Sequence, residues 1–106
     1  MHSIIKPWPF RGWGMDIIGA IHQTSTGRHK YLLVAVDYFT RWVEAEPYSR
    51  ITQDTVIEFI KQKIIHCYGI PETLTTDQGT VFTGDMTKEF LREYRITPLY
   101  SSPYYA

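Results

Sequence analysis

Thr75-Thr76-Asp77-Gln78-Gly79-Thr80-Val81-Phe82 sets a carboxylate at the end of a short β-prone run, Thr73 to Thr76, and follows it with a glycine turn. An acid in that position projects from a strand end, where a cation or a phosphate can approach. A second acid, Asp16, lies inside the strand-like stretch Trp13-Gly14-Met15-Asp16-Ile17-Ile18. There Trp13, Met15 and Ile17 face one way, and Gly14, Asp16 and Ile18 the other. Aspartates on neighbouring strands suit divalent-metal chemistry on phosphodiesters, in which metal ions clamp the attacking and leaving oxygens. From the pattern alone Asp16 is equally a metal ligand or a hydrogen-bonded structural acid. Asp77, ahead of Gln78-Gly79, is more simply a turn initiator.

Around these two stretches the chain reads as alternating elements. Residues 1–12, with Pro7 and Pro9, form an extended arm that Trp8 and Phe10 pack onto the domain. Trp13 to Ile21 is a strand, Gln23 to Lys30 a polar turn, and Tyr31 to Val36 an apolar run of the kind buried on both faces of a sheet. Arg41 to Glu46 alternates again and stops at Pro47, as an antiparallel edge strand does. Thr52 to Tyr68 then changes to helical period, with Val56, Ile57, Ile60, Ile64 and Cys67 on one face, Thr52 as cap, and Gly69 and Pro71 as stop. Thr73 to Thr76 returns across that helix as a parallel strand. Asp85 to Tyr94 is a shorter helix with Met86, Phe90, Leu91 and Tyr94 on its apolar face, and Ile96 to Tyr100 is a last strand. Asp37, which ends a strand ahead of a tight turn, reads as structural, and Glu89 and Glu93 read as a solvated helix face.

Composition bounds the function. Hydrophobic residues make up 43% of the 106 and aromatics 15%, enough for one packed domain and too much for a disordered chain. Eleven basic and eleven acidic side chains cancel, which argues against tight stand-alone binding to a polyanion. Cys67 is the single cysteine, so an internal disulfide is excluded and a reducing compartment is the simpler setting; late in a helix it reads as a buried small hydrophobe. His2, His22, His29 and His66 lack the paired spacing of zinc ligands, so no zinc is expected. Met1 to Phe10 holds no apolar run, which excludes a signal peptide or membrane span there, and no membrane partner is expected.

Four segments together are specific: Trp8-Pro9-Phe10 through Met15-Asp16-Ile17-Ile18-Gly19, Leu33-Val34-Ala35-Val36-Asp37-Tyr38-Phe39-Thr40-Arg41-Trp42, Tyr68-Gly69-Ile70-Pro71, and Thr76-Asp77-Gln78-Gly79-Thr80-Val81-Phe82. They resemble the integrase catalytic core of retroviruses and long-terminal-repeat retrotransposons, most of all the gypsy type, from about Lys6 onward. The resemblance implies an α/β fold of the ribonuclease H-like kind, a mixed five-stranded sheet with helices packed on it, with residues 13–106 a partial catalytic core. It implies DNA integration, in which a polynucleotidyl transferase joins element ends to target DNA by two-metal chemistry. Asp16 and Asp77 then match the first two catalytic, metal-holding acids, with Mg2+ or Mn2+ as cofactor. The family's third acid, a glutamate, follows at a longer spacing than the 29 residues after Asp77 (106 − 77), so it and the C-terminal helices are expected to be missing and the fragment inactive. DNA is the implied partner, a homo-oligomer is compatible, and nuclear action follows from the resemblance alone. The competing reading is a non-catalytic, element-derived module that binds nucleic acid or protein.

Overall fold

Alternating apolar and polar side chains lay down three antiparallel strands: β1 (Gly12–Gln23), β2 (Arg28–Asp37) and β3 (Val43–Tyr48). The structure, a computed structural model, describes residues 9–23 and 28–101. Most of the expected arm, residues 1–8, therefore lies outside the described residues. So does the tip of the expected turn, 24–27, while Arg28 to Lys30 already belong to β2. A helical segment then crosses to β4 (Thr73–Thr76), which pairs parallel with β1, and two short helices lead to β5 (Thr97–Tyr100), parallel with β4. The five strands form one mixed sheet in the order β3-β2-β1-β4-β5. β1 is thus the central strand, flanked on one side by the meander and on the other by the parallel returns.

One face of the sheet carries the core. Trp13 and Met15 of β1, Leu33 and Ala35 of β2 and Leu74 of β4 are buried there against Val56, Phe59, Ile60 and Ile64 of the long helix and Phe82, Phe90 and Leu91 of the later ones. Covering this face removes the apolar side of each strand from water, worth roughly 1.5–3 kcal/mol per large side chain. The other face is open among the described residues, with Ile18 half exposed. This corrects the reading of Tyr31 to Val36 as buried on both faces. Only Leu33 and Ala35 are buried, while Val34 and Val36 border the open side. An apolar run signals high β content, not how many faces are covered.

The long helix departs from ideal period. It runs as α1 (Gln53–Phe59), a π-helical stretch (Ile60–Ile65) and α2 (His66–Tyr68). Thr52 caps it as expected, its hydroxyl accepting from Thr55 N–H at 3.3 Å while Thr55 Oγ1 accepts from Thr52 N–H at 3.1 Å. The wider π turns rotate whatever follows them away from the α-helical register. Cys67, expected to be buried, is consequently exposed, and its thiol donates back to Gln62 C=O at 3.5 Å. Gly69 ends the segment at φ 95°, a conformation that a side chain would strain.

Two further boundaries differ from expectation. β3 begins at Val43 and runs through Pro47, which pairs with Leu32; on an edge strand the missing N–H can face solvent. A short helix, α3 (Thr80–Thr83), follows the Gly79 turn ahead of α4 (Asp85–Glu93). On α4, Phe90 and Leu91 are buried as expected, but Met86 is exposed and Thr87 takes the buried place, its hydroxyl donating to Val81 C=O at 2.7 Å. Glu44 of β3 accepts from the Tyr68 hydroxyl at 2.5 Å and so joins the sheet edge to the end of the long helix. That bond holds the Glu44 carboxyl below its ordinary range and pushes the Tyr68 phenol up to about 12.

The N-terminus of α4 is capped from a distance. Gly84, its N-cap, has no side chain, and Gln53 Oε1 of α1 accepts from Thr87 N–H at 3.0 Å in its place. A Cβ on Gly84 would stand 2.4 Å from the Gln53 amide carbon, so glycine makes room for the borrowed cap. Gln53→Ala is expected to lower stability by about 1 kcal/mol, the ordinary value of a lost N-cap. Urea unfolding checks this, with a lower midpoint at unchanged slope.

Candidate functional site

The β1–β4 pairing positions the two acids. Gly12, Trp13 and Gly14 pair with Thr73, Leu74 and Thr75 in parallel register. Continuing that register by two residues brings Asp16 level with Asp77, just past the end of β4. Both are exposed, and both line one open cleft of about 470 Å³ on the uncovered face. Clefts beyond the carboxyl ends of parallel strands are a recurrent place for ligands, because the strands deliver side chains there while the loops diverge. A second cleft of the same size, at the β5 edge between Lys88, Arg92 and Arg95, has no carboxylate in its lining. The two acids singled out in the sequence therefore meet in a single place. Glu89 and Glu93 are exposed and do not line that cleft, and Glu89 instead lies 3.8 Å from Arg92.

Local structure holds each carboxylate by one oxygen. Asp16 Oδ1 accepts from Ile17 N–H at 2.8 Å, and Asp77 Oδ1 accepts from Gly79 N–H at 2.8 Å. The second bond is the Asx turn that the Asp77-Gln78-Gly79 pattern announces, so Asp77 initiates its turn and still reaches the cleft. Oδ2 of each has no protein donor among the described residues. Gly79 then starts α3, its carbonyl accepting from Phe82 N–H at 2.9 Å, and buried Phe82 anchors the turn in the core. Ser101 N–H donates to Thr76 C=O at 2.8 Å and closes the far end.

Hard oxygen donors from two acids fit Mg2+ or Mn2+. Such an ion binds through one or two carboxylates and completes an octahedral shell with water and substrate phosphate. Among the described residues no group of three or more His, Cys, Asp or Glu could hold a metal ion, so the pair supplies only part of a coordination shell.

The floor and rim come from the neighbouring strands. Val34 pairs with Asp16 and Val36 with Gly14, which makes the floor apolar. Tyr38 lies over Gly14, where an added Cβ would stand 2.6 Å from its hydroxyl, so the strand must be bare there to admit the ring. Tyr38 and Arg41 enter from the turn after β2, a stretch whose sequence pattern says only that it turns. The alternation Val34, Val36, Tyr38 is the one signal that anticipates the tyrosine. Nothing in the pattern anticipates Arg41.

Asp37, on the opposite face from Tyr38, is wholly buried and accepts three hydrogen bonds. Phe10 N–H donates at 2.9 Å, Thr40 N–H at 2.8 Å and the Thr40 hydroxyl at 2.6 Å. It fastens the residue leading into β1 to the turn that carries Tyr38 and Arg41, which is the structural role its place in the sequence implied.

Comparison with known proteins agrees with this architecture. The family model of the integrase core domain matches residues 7–106. The Gag-Pol polyprotein of avian reticuloendotheliosis virus is 35% identical over 89 residues, 84% of this chain and 8% of the viral protein. That of Walleye dermal sarcoma virus is 30% identical over 88 residues, 83% of this chain and 5% of the viral protein. Among solved structures, the simian T-cell lymphotropic virus intasome in complex with PP2A regulatory subunit B56 gamma superposes with a TM-score of 0.84 at 25% identity, covering 98% of this chain and 36% of that one. The HTLV-2 integrase catalytic core domain, solved as a dimer in complex with magnesium, gives 0.78 at 26% identity, covering 89% and 62%. The chain thus spans less than a tenth of those polyproteins and under two thirds of those solved chains. With a ribonuclease H-like sheet and a family match over nearly its whole length, the chain belongs to the integrase core domain family.

Proposed function

We propose that the Asp16–Asp77 cleft is the phosphodiester-handling site of a DNA-integrating polynucleotidyl transferase, from a long-terminal-repeat element of the gypsy type by its motifs. The observation that carries this is the parallel register that brings two carboxylates level in one open cleft. Asp16 and Asp77 would hold Mg2+ or Mn2+, each through Oδ2, the oxygen that has no donor among the described residues. A bound divalent ion supplies Lewis-acid polarisation of a phosphate and activation of an attacking hydroxyl. The chain's part is to orient both acids through the Ile17 and Gly79 amides and to give the sugar-phosphate backbone an apolar floor at Val34 and Val36. DNA ends and target DNA are the substrates, assembly through further copies of the chain is compatible with the dimeric and intasome relatives, and the nucleus is where such a target lies.

With two carboxylates, the 106 residues bind metal weakly and leave DNA ends unprocessed. Titration of Mn2+ followed by electron paramagnetic resonance tests the reading. The expected result is one class of site, lost in Asp16→Asn and in Asp77→Asn, and tightened by adding duplex DNA because phosphate oxygens supply further ligands. Mn2+ binding that neither substitution alters contradicts it. Mg2+-dependent strand joining by the 106 residues, abolished by Asp16→Asn, would overturn the claim that two acids are insufficient.

A further inference from the structure

Among the described residues lining the Asp16–Asp77 cleft, Arg41 is the one cation, and its backbone is held in an unusual place to put it there. Its φ is 66°, in the left-handed region that a long side chain avoids, since Cβ then crowds the following carbonyl. Such conformations persist only where the surroundings over-determine them. Here they do: Arg41 N–H donates to Asp37 C=O at 2.8 Å, Asp37 N–H donates to Trp42 C=O at 2.9 Å, and Trp42 N–H donates to Thr40 Oγ1 at 3.1 Å. The Thr40 hydroxyl is itself donated to the buried Asp37 carboxylate. The loop is therefore a closed ring of hydrogen bonds fixed to the core at Asp37, and Arg41 is its exposed product. Glycine would fit that φ without strain, so the backbone alone gives no reason for arginine.

A polyanion entering a cleft with two carboxylates meets repulsion until positive charge offsets it. Metal at Asp16 and Asp77 offsets it at the acids, and a guanidinium on the rim offsets it for the neighbouring phosphate. The planar fork of arginine also grips a phosphate through two parallel N–H donors, which fixes orientation as well as position. We propose that Arg41 is a DNA phosphate-binding residue that sets the strand's register over the Asp16–Asp77 pair; this rests on the reading of that pair given above.

The test is fluorescence anisotropy of a labelled DNA duplex titrated with the 106-residue chain, in Mg2+ and in EDTA, over a series of salt concentrations. Variants are Arg41→Gly, Arg41→Lys, Asp16→Asn and Asp77→Asn. Arg41→Gly relieves the backbone, so its thermal midpoint should not fall and lost binding is not lost folding. Its affinity is expected to drop, and the slope of log K against log salt to shrink by about 1, the signature of one phosphate contact. Arg41→Lys keeps the charge and should restore the slope while binding less tightly than arginine. Asp16→Asn and Asp77→Asn should remove the Mg2+ dependence and leave the Arg41 contribution to the slope intact. An unchanged slope in Arg41→Gly, with Mg2+ dependence still lost in the aspartate variants, overturns the role of Arg41 alone. Mg2+ dependence that survives both aspartate substitutions overturns the metal-site reading on which it rests. Wild-type chain that binds no duplex in either condition overturns both.

Discussion

Asp37→Ala is expected to lower the free energy of unfolding by about 3–5 kcal/mol, a large part of the roughly 5–15 kcal/mol that holds an ordinary domain folded. The carboxylate is wholly buried and receives three donors. Alanine leaves the Phe10 and Thr40 amides facing a void, each at about 1–3 kcal/mol, whereas the Thr40 hydroxyl can rotate to another acceptor. Asp37→Asn separates charge from geometry. The amide keeps one acceptor oxygen but turns an NH2 toward a donor, so about 1–3 kcal/mol should be lost. Urea denaturation measures both, and a loss below about 1 kcal/mol for alanine would show that the ring of hydrogen bonds is not anchored at Asp37. The alanine variant also releases the turn carrying Tyr38 and Arg41, so its effect reaches the cleft from the far face of the sheet.

Trp13→Ala should cost about 3–5 kcal/mol, for a different reason. Trp13 is wholly buried beneath Phe10 and Tyr68, with ring centroids 5.9 Å and 5.3 Å away, and it fills the junction of β1 with the end of the long helix. Removing the indole leaves a cavity that the sheet cannot collapse into, because Met15 and Leu74 are fixed by strand pairing. Trp13→Phe is the informative companion. The indole Nε1 is buried without an acceptor among the described residues, so phenylalanine removes an unpaired donor while losing part of the packing. The two terms are each about 1–3 kcal/mol and opposite in sign, so the phenylalanine variant should stay within about 1 kcal/mol of the native chain. A phenylalanine variant as unstable as alanine would mean that the indole nitrogen is bonded after all.

Much of this was legible because strand parity and helix stops are local. Trp13, Met15 and Asp16 separate onto opposite faces as alternation requires, Thr52 and Gly69 bound the long helix, and Thr73–Thr76 is the fourth strand residue for residue. The departures are places where tertiary context decides. Cys67 turned outward because a π-helical stretch reset the helix phase, which residue spacing cannot announce. On α4, Thr87 rather than Met86 is buried, its amide donating to Gln53 of α1, a long-range contact that residue spacing does not announce. In the cleft, the two acids lie in motifs and could be named from sequence, whereas Arg41 depends on a ring of hydrogen bonds closing around a left-handed residue. No side-chain pattern encodes that closure.

The proposed site has Asp16 and Asp77 sharing a divalent ion, and paramagnetic broadening of backbone amide signals by Mn2+ tests that most directly. Substoichiometric Mn2+ added to 15N-labelled chain should first erase the amides of Ile17 and Gly79, which donate to the two carboxylates, together with their immediate neighbours. The same signals should persist in Asp16→Asn. Broadening that spreads evenly over the exposed acids, or that centres on Glu89 and Glu93 and ignores the substitution, would contradict a shared site at the β1–β4 register.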